Sequence, residues 1–496
     1  MGHIGPEWSL TRYGSEAGGK VGGPWKDPIF EAASHSDGDT PISPSSPWSS
    51  RSAAAPAGRV TVRRTVPSGD PERFLRVADG RARGFWARGS RWAAHAGVLA
   101  ALEDSGGDAR VARIRDAAER IAGGHGEPDG LRFYGGFAFR DRATTSGWWH
   151  DFPPALFHLP AVEFDGEGEG TATLRVRALL GAEDDPAAVE ARLEAEADRW
   201  VARMESVEPP LRPAVAARTD QGNRIAWESA VERTLDAIDA GHVQKAVLAR
   251  TLDVELERPI SPVDVVLALW RQHTGTHAFL FEPEPGRALL GAAPEALVTL
   301  RGRDFAATAV AGSVASGETP EQQERLAAGL LNSGKDRAEQ RVVAEEMVRG
   351  LQAAGHALDP DVDLEPHVLT LARIQHLETE IRATVEDGDA LALVEDLHPT
   401  PAVAGLPRDR ALDFLARTEP FERGWYAGPV GWFDPQGDGH FVPALRMAVG
   451  DGRRWRLFAG AGIVKGSVPT SEWEETAIKF QPVLRALETC GAELDG

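Results

Sequence analysis

The most informative stretch of this chain is Phe458–Lys479, which reads FAGAGIVKGSVPTSEWEETAIK. Its glycine-dense first half predicts a turn, and its second half predicts a helix. On that helix Glu472 and Glu475 are three residues apart and share a face, and Lys479 lies one turn further along. An isolated segment of this kind is more often a solvated acidic helix, so its meaning depends on the rest of the chain.

Length and charge limit the possible functions. The chain has 496 residues, enough for a large core, with 75 acidic and 54 basic residues and a formal net charge of −21. This acidic balance argues against nucleic acid or an anionic membrane as the main partner. An anionic substrate would therefore have to meet a local basic pocket.

Cysteine content and hydropathy indicate the compartment. The one cysteine, Cys490, excludes an intramolecular disulfide and a cysteine-based zinc site, which fits a reducing cytoplasm. No stretch approaches the roughly 20 apolar residues of a membrane span, and the N-terminus lacks the pattern of a secretion signal. We expect a soluble, cytoplasmic protein with no membrane partner.

Three segments follow one another along the chain. Residues 1–58 are rich in Gly, Ser, Pro and Ala and are expected to be a disordered low-complexity extension. Residues 59–215 have globular patterning and end in the proline-rich passage Glu208–Val215. Residues 220–490 alternate helical and strand patterns and are expected to hold the functional site.

Hydrophobic periodicity predicts the elements within these segments. Helices are expected over residues 98–106, 110–122, 187–206, 225–240, 321–354 and 472–488. Strands are expected over residues 59–66, 131–141, 245–254, 278–281, 288–290, 305–311 and 455–459.

Two residues are candidates for acid–base chemistry. Lys245 opens the strand-like run KAVLARTLDVEL, where burial could lower its basicity enough for a general base. A surface lysine is the alternative interpretation. Glu295 follows Pro294, and a proline at the first helical position would make it an early helix residue near the positive end of the dipole. Its alternative role is that of a capping carboxylate.

A second carboxylate pair matches the one near the C-terminus. Asp336 and Glu339 are three residues apart in the helical stretch SGKDRAEQRVVAEEM. Two helices that each present such a pair can hold an octahedral Mg²⁺ that keeps several waters and accepts a substrate carboxylate. The competing interpretation is salt bridging with neighbouring basic residues, namely Lys335, Arg337 or Arg341.

The intervening blocks place small residues where backbone amides can approach an anion. Arg446 and Lys479 add positive charge for carboxylates. His376 and His398 are possible substrate contacts, although a lone histidine is more often structural.

The chain resembles the chorismate-utilising enzymes, which include anthranilate synthase large subunits, aminodeoxychorismate synthases, salicylate synthases and isochorismate synthases. The resemblance covers about residues 220–490 and rests on blocks in one order: QKAVLAR, GAAPEAL, AVAGS, KDRAEQ, QHLETEI, LHPTPAVAGLP, GWYAGPVGW, ALR and AGAGIV…EWEETAIK. It implies an α+β fold like anthranilate synthase component I. That fold is a single large body of two face-packed antiparallel sheets covered by helices.

Lys245 and the HPTPAV block narrow the resemblance to the isochorismate synthases, and a lysine at this position is typical of members that add water. The resemblance implies that Lys245 activates water for attack at C2 of chorismate and that Glu295 protonates the departing C4 hydroxyl. It implies Glu339 and Glu475 as principal Mg²⁺ ligands, supported by Asp336 and Glu472. The implied substrate-binding residues are Gly312, Ser313, His376, Ala402, Tyr426, Arg446, Gly460, Gly462 and Lys479.

Departures from the family pattern leave these groups in place. Gln340 replaces a usual histidine, Ser313 a threonine and Ala404 a cysteine, and the arginine often found after the AVAGS block is missing. The expected substrate is chorismate, with Mg²⁺ as cofactor and no glutaminase subunit. The product would serve menaquinone or siderophore synthesis. The alternatives are a salicylate synthase, which also eliminates pyruvate, and a noncatalytic chorismate-binding paralogue; amination is disfavoured because Lys245 would crowd the ammonia position.

Overall fold

The computed structural model describes residues 56–123, 130–142, 146–208, 210, 213–317, 319–356, 364–370, 374–386 and 389–494. These residues belong to one compact unit, Pro44–Gly496. Residues 1–55 of the predicted extension lie outside the described part, whereas Gly58 already opens the first strand. The boundary expected at Glu208–Val215 stays a prediction.

Twenty strands occur in the described part of the chain. They are β1 Gly58–Val66, β2 Arg83–Arg88, β3 Arg91–Asp104, β4 Phe133–Phe137, β5 Ala155–Glu167, β6 Ala172–Leu180, β7 Val215–Asp220, β8 Lys245–Leu256, β9 His277–Glu284, β10 Arg287–Ala293, β11 Val298–Arg301, β12 Asp304–Ala315, β13 His367–Thr370, β14 Ile374–Thr384, β15 Gly405–Leu406, β16 Pro429–Phe433, β17 Gly439–Pro443, β18 Met447–Gly450, β19 Arg454–Ile463 and β20 Ala492–Glu493.

Ten α-helices accompany these strands within the same described ranges. They are α1 Pro71–Val77, α2 Arg110–Ala122, α3 Pro186–Ser206, α4 Arg224–Asp239, α5 Pro262–Gln272, α6 Pro320–Asn332, α7 Gly334–Ala353, α8 Ala390–Leu397, α9 Arg408–Thr418 and α10 Pro469–Thr489. None of these helices combines the length and the apolar character that crossing a bilayer requires.

The sheet divides into two branches at β5. One edge of β5 pairs with β3, while the other pairs first with β4 and then with β6. The first branch runs β1-β6-β5-β3-β2-β9-β10-β18-β19-β8-β7, and the second runs β4-β16-β17-β11-β12-β14-β13. All pairings are antiparallel except the one between β7 and β20. The predicted α+β class is confirmed, but hydrogen bonds join the two expected sheets into one.

The inner faces of the two branches pack against each other. Phe279 and Leu289 of the first branch share a buried cluster with Val430 and Val442 of the second. Helices α1, α3, α5 and α10 cover the outer face of the first branch, and α2, α7 and α8 cover that of the second. The order of layers is therefore helix, strand, strand, helix, which buries both faces of the sheet.

Three local predictions are wrong, each for a tertiary reason. Residues 98–106 lie in strand β3 and its following turn, because pairing with β5 outweighs the helical preference of the alanines and leucines. The single helix expected over residues 321–354 is two helices, because extended Ser333 caps α7 by accepting a hydrogen bond from the Asp336 amide. Glu295 is not an early helix residue, since it lies in the turn between β10 and β11.

A glycine at the branch point gives a test of this architecture. A Cβ atom on Gly135 of β4 would lie 1.9 Å from the Leu156 carbonyl oxygen of β5. We expect Gly135→Ala to lower the free energy of unfolding by about 3 kcal/mol, because the strands must separate. The matched control is Gly329→Ala in α6, where no atom lies within 4 Å of the added carbon; it should stabilise the protein slightly. Urea unfolding of both variants checks the prediction, and equal stabilities would contradict it.

Candidate active site

Strands β8 and β19 place Lys245 beside the segment that leads into α10. Their antiparallel register aligns Ala246 with Ile463 and Val247 with Gly462. Lys245, the first residue of β8, therefore stands next to the end of β19. A short loop then leads into α10, which begins with Pro469 at its first helical position, where a missing N–H costs nothing.

One pocket between the two branches is lined by all fifteen residues that the sequence predicts for the site. They are Lys245, Glu295, Gly312, Ser313, Asp336, Glu339, His376, Ala402, Tyr426, Arg446, Gly460, Gly462, Glu472, Glu475 and Lys479. They come from β8, β12, β14, β19, α7, α10 and the connecting turns. His398, by contrast, is not part of this lining; its Nε2 lies 3.0 Å from the Phe139 carbonyl oxygen.

Lys245 and Glu339 form a buried ion pair. Lys245 is only 3% exposed, and its Nζ donates a hydrogen bond of 2.8 Å to Oε1 of Glu339. Burial opposes ionisation of Glu339, but the charges of Lys245, Lys479 and Lys335 outweigh it and hold the pKa of Glu339 below its usual value. The lysine is therefore desolvated as predicted, and its partner is one of the two proposed metal ligands.

Glu295 has the opposite electrostatic character. Burial raises its pKa to about 8, although Arg446, Lys479 and Lys245 act against the shift. The turn that holds it is fixed by its neighbour, because the Ala296 amide donates to Thr308 Oγ1 at 2.8 Å. At neutral pH this carboxyl group is protonated and can donate a hydrogen bond or a proton.

Helix α10 contributes a carboxylate pair and a lysine. Burial and the charge of Glu475 raise the pKa of Glu472. Lys479 pairs with Glu475 at 2.6 Å and also donates to the Gly460 carbonyl oxygen at 2.8 Å. Lys479 therefore ties the helix to the glycine-rich end of β19.

A chain of hydrogen bonds positions the arginine of the pocket. His376 Nδ1 lies 2.8 Å from Ser313 Oγ, and its Nε2 lies 3.3 Å from Nη2 of Arg446. Burial, Arg446 and Lys479 lower the pKa of His376 well below its usual value. A neutral His376 accepts from the guanidinium at Nε2 and donates from Nδ1 to Ser313. The residue thus orients Arg446 without competing with it for an anion.

Tyr426 and Asp336 have additional structural roles. The Tyr426 ring stacks on Phe458 at 5.0 Å between centroids, and burial raises the pKa of its hydroxyl to about 12. Asp336 accepts a short hydrogen bond from the Ser333 hydroxyl at the start of α7. This contact holds the carboxylate of Asp336 against Ser333, the N-cap residue of α7.

Two functional contributors were not identified from the sequence. Lys335 lines the pocket, although the sequence analysis considered it only as a salt-bridge partner. It is four residues before Glu339, a spacing that places both side chains on one face of α7 and could have indicated its position. Arg423 is fully buried and donates to the carbonyl oxygens of Val247 and Val403 at 2.6 and 2.9 Å. It fixes β8 against the turn that carries Ala402, and no sequence pattern reveals that tertiary contact.

The carboxylates of the pocket have the chemistry of an Mg²⁺ site but are not gathered into one. Among the described residues, no group of three or more His, Cys, Asp or Glu residues is close enough to hold a metal ion. The donors are nevertheless carboxylate oxygens, which Mg²⁺ prefers. Burial and, after it, the charge of Glu475 raise the pKa of Glu472, and a cation beside the two carboxylates would relieve their repulsion. The residues fit Mg²⁺, and the cofactor stays a prediction.

The pocket thus brings together a buried lysine, an arginine and a carboxyl group with a raised pKa between the two branches of the sheet. The family described as chorismate binding enzyme matches residues 51–488, so the chain belongs to that family. The family resemblance predicted from the sequence motifs is thereby confirmed.

Curated relatives of the chain share most of its length. It is 37% identical over 402 residues to the salicylate biosynthesis isochorismate synthase of Pseudomonas aeruginosa, covering 79% of this chain and 82% of the relative. It is 33% identical over 356 residues to the isochorismate synthase MenF of Bacillus subtilis, covering 71% of this chain and 74% of the relative.

Solved structures show the same fold. The Escherichia coli menaquinone-specific isochorismate synthase MenF superposes with a TM-score of 0.72 and 28% identity, covering 88% of this chain and 96% of that one. Anthranilate synthase component I from Streptococcus pneumoniae superposes with a TM-score of 0.62 at 18% identity, covering 87% of this chain and 93% of that one. This second likeness supports the fold alone.

Glu295 should make stability depend on pH. Its folded-state pKa of about 8 lies above the ordinary value of 4.5. The stability that it contributes is therefore fully present below pH 4.5 and is lost as the pH rises through 8. Glu295→Gln cannot ionise, so its melting temperature should rise relative to that of the wild type between pH 5 and pH 9.

Thermal unfolding of both proteins across that pH range measures the gap, which is the difference in melting temperature between the variant and the wild type. The matched control is Glu474→Gln, on the exposed side of α10, for which the gap should stay constant. A gap that does not change with pH in Glu295→Gln would contradict the proposed protonation of Glu295.

Proposed function

We propose that this protein is an isochorismate synthase that converts chorismate to isochorismate. Water adds at C2, the ring double bonds shift, and the C4 hydroxyl leaves as water. The observation that carries the proposal is the presence in one pocket of a buried lysine and a buried carboxyl group with a pKa of about 8. In this pair the lysine is placed to act as the base, and the protonated carboxyl group is placed to act as the acid.

The two groups divide the proton transfers. As the oxygen of water bonds to C2, Lys245 accepts the proton that the water loses. As the C4–O bond breaks, Glu295 donates its proton to the departing hydroxyl group. One proton is taken up and one is released, so the reaction is a net isomerisation that needs no oxidant or reductant. Proton exchange with solvent restores both residues.

Lys245 must be neutral when it acts as the base, and its present contact with Glu339 opposes this. Lys245 can act as the base and Glu339 as a metal ligand if the Glu339 carboxylate turns away from Lys245 and binds the metal ion when substrate is bound. Gly462 leaves room for that rearrangement, since a Cβ atom there would lie 2.8 Å from Glu339 Oε1 and 3.0 Å from Lys245 Cε. The absence of a side chain at this position is therefore part of the proposed chemistry.

Mg²⁺ is the proposed cofactor. Glu339 and Glu475 would be its principal ligands, with Asp336 and Glu472 in support. When bound, the ion would neutralise the carboxylate on the ring of chorismate and help to hold it in place. Arg446 and Lys479, with backbone amides near Gly312 and Gly462, would bind the substrate's carboxylates.

Names of relatives support this activity and span more than one use of the product. They include a menaquinone-specific isochorismate synthase from Escherichia coli, a vibriobactin-specific isochorismate synthase from Vibrio cholerae and the salicylate biosynthesis enzyme of Pseudomonas aeruginosa. All three act at the isochorismate step. We therefore propose isochorismate as the product and leave its later use open to menaquinone or siderophore synthesis.

Product analysis tests the proposal. Purified protein is incubated with chorismate in the presence of Mg²⁺ or EDTA, and the products are separated by chromatography. We expect isochorismate only with Mg²⁺. Lys245→Ala should lower kcat/KM by about 100-fold or more, because a general base is lost. The control Lys465→Ala removes an exposed lysine outside the pocket and should leave turnover unchanged.

Other products have defined meanings. Salicylate with pyruvate would identify a salicylate synthase. Chorismate left untouched under both conditions would identify a noncatalytic paralogue and would contradict the proposed function.

A further inference from the structure

A second cavity of about 560 Å³ adjoins the catalytic pocket and shares Pro294 and Arg446 with it. We call it the α10 cavity because the second half of α10 forms one wall. It is lined by Gln272, His273, Thr276, Ala292, Pro294, Ile374, Arg446, Ile478, Gln481, Pro482, Arg485, Glu488 and Thr489. The proposed chemistry of the catalytic pocket makes no use of this space.

Two arginines of the α10 cavity have no carboxylate partner. Within the described residues, the side chain of Arg485 hydrogen-bonds only to Gln481 Oε1, at 3.4 Å, and that of Arg446 only to His376. The charges of Glu475 and Glu295 act on Arg446 without forming an ion pair with it. The buried Arg83, by contrast, donates to the Glu282 carboxylate at 2.6 Å, and the buried Arg250 is satisfied by Thr476 and by two backbone carbonyl oxygens. In a chain of net charge −21, two guanidinium groups that face one cavity and form no ion pair there indicate a site for an anion.

The remaining lining defines the rest of the ligand. Ile374, Ile478, Pro294 and Pro482 give the cavity an apolar wall. The only acidic residue in the lining is Glu488, which is exposed. A charged group on a compact apolar body matches this combination better than a sugar, a nucleotide or a free inorganic anion.

We propose that the α10 cavity is a second binding site, for a small carboxylate with an apolar body, held by Arg485 and by the side of Arg446 that faces the cavity. A guanidinium group carries five N–H donors in a planar fork, so one arginine can serve two carboxylates from two sides. Arg446 then contacts the substrate in one pocket and the second ligand in the other.

The two sites are coupled through shared parts. Helix α10 presents Glu472, Glu475 and Lys479 to the catalytic pocket and Ile478 and Arg485 to the α10 cavity. A ligand in the cavity therefore alters the position of Arg446 and of the α10 carboxylates, and with them the affinity for substrate. This effect on turnover rests on the proposed function; binding itself does not.

Calorimetry with salicylate as the probe tests the site. Salicylate is titrated into the wild type, into Arg485→Gln and Arg485→Glu, and into the control Arg417→Gln, which alters an exposed arginine at the end of α9. We expect both Arg485 variants to weaken binding about tenfold or more, because a charge-assisted hydrogen bond is lost. Arg417→Gln should bind like the wild type, and uncharged salicylamide should bind to none of them. Melting temperatures verify that each variant is folded.

A competition experiment separates the cavity from the catalytic pocket. Salicylate is titrated into Lys245→Ala protein at rising chorismate concentrations. Two coupled sites predict an apparent Kd that changes with chorismate, in either direction, and then reaches a plateau. An apparent Kd that keeps rising in proportion to chorismate would overturn the proposal, because it places the probe in the catalytic pocket. Wild-type affinity in the Arg485 variants, or no binding to the wild type, would also overturn it.

Discussion

The antiparallel pairing of β8 with β19 is the constraint on which the site depends. Ten residue pairs, from Arg454 with Glu255 to Ile463 with Ala246, fix their register. A slip of one residue would turn every side chain of one strand to the other face and remove Lys245 from the pocket. The same pairing places Gly462 beside Lys245 and Glu339, where a side chain has no room. The helix that follows then delivers its carboxylates without a further long connection.

Burial and neighbouring charge give two carboxyl groups of the pocket opposite states. Three lysines hold the pKa of Glu339 low despite its burial, while burial of Glu295 prevails over the nearby cations and raises its pKa to about 8. Both residues are glutamates, so the difference comes from how close each carboxyl group lies to positive charges and how fully it is removed from water. The first state leaves Glu339 as an anion that pairs with Lys245 or can bind a cation, and the second leaves Glu295 with a proton to donate.

Local spacing explains what the sequence could predict. The pairs Asp336 and Glu339, and Glu472 and Glu475, follow from helix periodicity alone, and the family motifs supply the remaining residues of the pocket. Glu295 was expected in a helix but lies in a turn, because its neighbour Ala296 is bound to Thr308 of another strand. The branching of the sheet at β5 likewise depends on pairings between distant segments. Such contacts leave no periodic signal in the chain.

In the proposed mechanism, Lys245 delivers a solvent water to C2 while Glu295 helps the C4 hydroxyl to leave. Turnover of chorismate in ¹⁸O-labelled water, followed by mass spectrometry of the product, tests it most directly. This mechanism predicts isochorismate with one labelled oxygen, carried by the C2 hydroxyl group. Isochorismate that contains no label would show that the original hydroxyl group migrates within the substrate, and it would contradict the roles given to both residues.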